Sequence, residues 1–77
     1  MASKKLPTET KQLIDKNLKT VYEALEKKGY DPEAQILGYI LTEDPTYITT
    51  YNNARELITQ LDRDEIGCHI LEEYFGR

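Results

Sequence analysis

The 77-residue chain is poor in several features, and each shortage closes off a class of protein. Cys68 is its only cysteine, so no internal disulfide can staple it, and a lone thiol points to the cytoplasm rather than to a secreted scaffold. No stretch approaches the roughly 20 apolar residues needed to cross a bilayer. Lys4 and Lys5 have no apolar h-region behind them. Secretion and membrane insertion are therefore not expected. No pattern of period two persists, so strands are not expected either. Glycine-rich phosphate loops, nucleophile motifs and paired-carboxylate clefts are also missing. Neither catalytic residues nor a cofactor are expected, and the chain reads as a non-enzyme.

Positive charge is scarce beyond the first third. Residues 1 to 30 carry seven Lys against four acids, a net of +3, whereas residues 31 to 77 carry three Arg against ten acids, a net of −7. Such a chain suits a protein partner better than a phosphate backbone.

Helical spacing is abundant. Leu13, Ile14, Leu18, Val21, Tyr22 and Leu25 fall on one stripe of a long amphipathic helix. The expected start is Thr8, whose hydroxyl can cap free amides, and the expected stop is Gly29 after Lys27 and Lys28. Residues 1–7 read as a flexible tail and residues 8–77 as one helical domain. Asp31-Pro32 opens a second helix to about Thr42, and Asp44-Pro45 opens one short turn through Ile48. A further helix is expected to begin near Asn52 or Asn53, with Asn53 and Glu56 at capping-box spacing, and to bury Ala54, Leu57, Ile58 and Leu61. Asp62 and Glu65 start the last helix, with Ile66, Ile70, Leu71, Tyr74 and Phe75 inward and Gly76 as its stop. Gly67 is its weak point. The expected fold is all-α, a compact bundle of four main helices plus one short helical turn.

The segment Ile36-Leu37-Gly38-Tyr39-Ile40-Leu41 carries no charge. It reads as a helix needing cover on most sides: Ile36, Leu37, Ile40 and Leu41 form one face, Tyr39 extends it, and Gly38 admits a close backbone neighbour. A domain of this size buries only about 60% of its unfolded surface, so a second copy of the chain is as plausible a cover as the other helices.

The residues with chemical potential read mostly as structure. Cys68 and His69 point about 100° apart on a helix and lack the further ligands that zinc requires. Asp62, Asp64 and Glu65 lack the glycine and distal Glu of a calcium loop, so capping explains them. A recognition helix running from Arg63-Asp64-Glu65 to Glu72-Glu73 would bring too much negative charge to a major groove, which argues against a helix-turn-helix repressor. Tyr47, beside the Thr49-Thr50 break, has the amphipathic profile of interface residues. Arg55 and Arg63, eight residues apart, are candidate contacts for an acidic partner, or else pair internally with Glu56, Asp62 or Asp64.

Several stretches together resemble the IreB/ReoM family. They are Val21-Tyr22, Ala24-Leu25, Lys28-Gly29-Tyr30 and Pro32; Gln35-Ile36, Gly38-Tyr39 and Leu41; Asp44-Pro45 and Tyr47-Ile48; Asn53-Ala54-Arg55; and Arg63-Asp64-Glu65. The likeness spans residues 21 to about 75. It implies a cytosolic, all-helical, homodimeric regulator of cell-wall precursor synthesis in Gram-positive bacteria, without enzymatic activity. It also implies a tail threonine phosphorylated by a membrane Ser/Thr kinase with extracellular PASTA domains. In the family, that phosphate alters proteolytic turnover of the enzyme committing UDP-N-acetylglucosamine to peptidoglycan. Counting back from Val21-Tyr22 puts the family's threonine at or before Met1, which leaves Ser3, Thr8 and Thr10 as candidate acceptors here. Relatives also carry additional Arg where this chain has Thr59 and Gln60. The rival expectation is a constitutive dimerisation or scaffold module with no phosphate switch.

Overall fold

The computed structural model describes residues 6–76, and its longest element is α1 (Thr8–Lys27). Ile14, Val21 and Leu25 recur along α1 at helical spacing and are buried, as the stripe required, and Ala24 is buried beside them. Leu13 and Tyr22, assigned to the same stripe, lie at its edges and are exposed. Gly29 takes φ +85° and closes a Schellman motif, in which the Gly29 amide donates to Glu26 O and the Tyr30 amide to Leu25 O. The other end of α1 departs from expectation. Pro7 occupies the cap position, Thr8 is already helical, and among the described residues no side-chain cap bond forms. Leu6, read from sequence as part of the tail, is buried in the core.

Helix α2 (Pro32–Thr42) begins as its sequence dictates. The Asp31 carboxylate accepts from the Ala34 amide at 3.2 Å, and Pro32 sits where no amide hydrogen is needed. The 3-10 turn Pro45–Tyr47 follows, with Asp44 accepting from the Thr46 amide and hydroxyl. A second 3-10 turn, Tyr51–Asn53, precedes α3 (Ala54–Thr59), and α4 (Arg63–Phe75) ends at Gly76 with φ +74°. The second turn was not expected. Asn52 and Asn53 both adopt left-handed backbone, at φ 55° and 60°, which Asn tolerates better than most residues. Asn53 therefore makes no side-chain cap, and the expected capping box with Glu56 does not form. Asp62 does cap α4, by accepting from the Asp64 amide at 2.9 Å.

Among the described residues there is no strand, and the all-α expectation holds: four α-helices with short 3-10 turns. The core lies where α1 meets α2 and α3, and Tyr39, Ile48, Ala54, Ile58, Leu61 and Ile66 complete it. Asn17 and His69 are buried polar exceptions, and the Asn17 side-chain amide donates to Leu57 O at 2.9 Å. That bond satisfies a carbonyl near the end of α3 and fixes α3 against α1.

Candidate functional site

Helix α2 lies differently in the bundle from its sequence reading. Pro32 and Tyr39 are its buried residues, Ile36 and Ile40 are partly buried, and Leu37 and Leu41 are 55% and 70% exposed. The physical reason is that the helix is apolar nearly all round, so periodicity could not say which side faces inward. Helix α4 shows the same correction. Ile66 and His69 are its buried residues, whereas Ile70, Leu71, Tyr74 and Phe75, expected inward, are exposed. Tyr74 and Phe75 stack edge to face with ring centroids 5.0 Å apart. An apolar groove of about 290 Å³ runs where α1, α2 and α4 meet, walled by Leu18, Ile36, Leu37, Ile40 and Ile70. At its rim the Tyr22 hydroxyl donates to Glu33 at 3.0 Å. That bond and the Glu33 charge hold the Tyr22 phenol above its ordinary pKa.

The two candidate arginines are tied down from within, but not by the acids that sequence suggested. Arg55 Nε donates to Ile48 O at 2.9 Å. Arg63 Nη1 donates to Ile40 O at 2.8 Å, and its Nη2 pairs with Glu43 at 3.4 Å. Arg63 thus places positive charge at the carbonyl end of α2, where the helix dipole favours it. Both side chains serve the segment 40–48 rather than Glu56, Asp62 or Asp64. Tyr47 packs on Gly38: a Cβ at that glycine would sit 2.5–2.9 Å from three ring carbons. The close neighbour admitted by Gly38 is therefore a ring, not a backbone. Gln35 Nε2 donates to Tyr47 O at 2.8 Å and closes the same contact.

Arg55 also lines a recess of about 400 Å³ with Pro45, Thr50, Asn53, Glu56 and Thr59. Across the turn lies Asp44, whose carboxyl is held below its usual pKa, first by the Thr46 hydroxyl, then by the Thr46 amide and Arg55. The Tyr39 phenol is pushed up, chiefly by burial and then by Glu43.

Cys68 and His69 do not form a reactive pair. Cys68 packs against the core, and His69 Nε2 lies 2.7 Å from Asp15 Oδ1, joining α4 to α1. His69 Nδ1 is buried and finds no partner among the described residues, so the tautomer bearing hydrogen on Nε2 fits. Lys11 and Glu72, 3.5 Å apart, bridge the same two helices. Among the described residues, no group of three or more His, Cys, Asp or Glu could hold a metal ion, and no helix is long and apolar enough to cross a membrane. Of the candidate acceptors, Ser3 lies outside the described residues, while Thr8 and Thr10 sit in the first turn of α1.

The fold and its surface define a small all-helical protein with exposed apolar faces and anchored arginines. A model of the IreB regulatory phosphoprotein family matches residues 2–76, nearly the whole chain, and the chain belongs to that family. Its role is accordingly regulatory.

Proposed function

We propose that the chain is a non-enzymatic cytoplasmic regulator of peptidoglycan precursor synthesis, acting through protein contacts as a homodimer. In this reading a PASTA-type Ser/Thr kinase acts upstream, and a biosynthetic enzyme or its protease machinery is the partner. Family membership is the observation that carries it. The open apolar surface of α2 and α4 adds support, since Leu37, Leu41, Leu71, Tyr74 and Phe75 are more exposed than a small monomer needs. That surface is the proposed seat of the second copy, and Arg55, Arg63 and Tyr47 remain the proposed partner contacts. The internal bonds of Arg63 make Arg55 the better probe of the two.

The test is made in the native cell. The lifetime of the enzyme that commits UDP-N-acetylglucosamine to peptidoglycan is followed with the gene present, deleted, or carrying Arg55→Ala. A changed lifetime on deletion, reproduced by Arg55→Ala at wild-type helical content, is expected. An unchanged lifetime on deletion would overturn the reading.

A further inference from the structure

We propose that Thr50 is a phosphorylation site and that the Arg55 guanidinium is the cation that receives its phosphate. The inference rests on the regulatory phosphoprotein reading and concerns where the switch sits. Most threonine hydroxyls in the described chain are engaged. Thr20, Thr42 and Thr59 donate to carbonyls within their own helices, Thr46 donates to Asp44, and Thr49 accepts from the Tyr51 amide. Thr50 is exposed, and its hydroxyl makes no hydrogen bond among the described residues. It lies in the connection between the two 3-10 turns, whereas Thr8 and Thr10 belong to α1.

Thr50 opens onto the recess of about 400 Å³, whose one positively charged wall among the described residues is Arg55. The bond from Arg55 Nε to Ile48 O fixes that side chain at the loop, and among the described residues no hydrogen bond or ion pair claims its terminal nitrogens. Glu56 shares the recess and Asp44 is felt from across the turn, so an incoming anion has one favourable direction, toward Arg55. In the transfer, Thr50 Oγ attacks the γ-phosphorus of kinase-bound ATP, the hydroxyl proton passes to a kinase base, the bridging P–O bond breaks and ADP leaves. The product carries about −1.5 to −2 charges and three acceptor oxygens beside Arg55. Arg55 is then neutralised within its own chain. An acidic partner loses its cation, so the modification acts as an off-switch at the contact surface.

The full chain is incubated with ATP and a PASTA-type kinase, and phosphate is located by intact mass and fragment spectra. A gain of about 80 Da mapped to Thr50, and lost in Thr50→Ala, is expected. Phosphate confined to Ser3, Thr8 or Thr10 overturns the Thr50 site and leaves the regulatory reading standing. Phosphate on no residue overturns both. The role of Arg55 is read separately, with phosphothreonine placed at position 50 by expanded-code translation. The Arg55 Nε–H resonance should move as the phosphate loses its second proton, and that proton's titration midpoint should lie lower than in Arg55→Gln. A resonance that does not move, together with equal midpoints, would overturn Arg55 as the receiver.

Discussion

Asn17 shows how much one polar residue can decide. It lies on the buried stripe of α1, where pattern alone favours an apolar side chain, and its amide is committed to Leu57 O. Replacing it with Ala leaves that carbonyl without its donor, at a cost of about 1–3 kcal/mol. Urea unfolding should show the loss in the midpoint with an unchanged slope. Gly38 and Tyr47 form a second unit. In the wild-type chain Gly38→Ala collides with the Tyr47 ring and should destabilise by about 1–3 kcal/mol. In a Tyr47→Ala background the same change meets no ring, and the helix gains about 0.5–1 kcal/mol from losing a glycine. A double-mutant cycle should therefore show a reversal of sign, and equal effects in both backgrounds would refute the contact.

At the scale of elements, the turn after α2 is held by charge and hydrogen bonds more than by burial. Asp44 accepts from Thr46 twice, and its depressed carboxyl links the turn to pH. Because the folded value lies below the unfolded one of about 3.9, the contribution is complete above that value. It is lost as pH falls through the folded one. The melting difference between wild type and Asp44→Ala should be constant above about pH 5 and shrink on acidification. A difference independent of pH would contradict the assignment. The starts of α2, this turn and α4 were legible because Asp-Pro, Asp-Pro and Asp62 announce caps that form. The start of α3 was legible in position, since Asn53 is its cap residue, but not in mechanism, because Asn53 takes a left-handed backbone and makes no side-chain cap. Two successive Asn residues were the available signal.

At the scale of the whole molecule, local signals gave the helix order and class, whereas the inward face of each helix depended on partners that periodicity does not contain. Tyr39 won the core from Leu37 and Leu41, and Ile66 with His69 won it from Ile70 and Leu71. The candidate site was legible in its residue types and less so in its roles. Arg63 turned out to finish α2, Tyr47 to fill the space over Gly38, and Arg55 to brace the loop that carries Thr50. The apolar faces left over are the proposed means by which this small domain meets its partners, its own copy first.

Sedimentation equilibrium of the full chain at micromolar concentration tests that proposal most directly. The expected mass is twice the 9.0 kDa of one chain, returning to a single chain in Leu37→Glu/Leu41→Glu, whose substitutions fall on exposed positions and spare the core. A wild-type chain that sediments as a monomer throughout would contradict it.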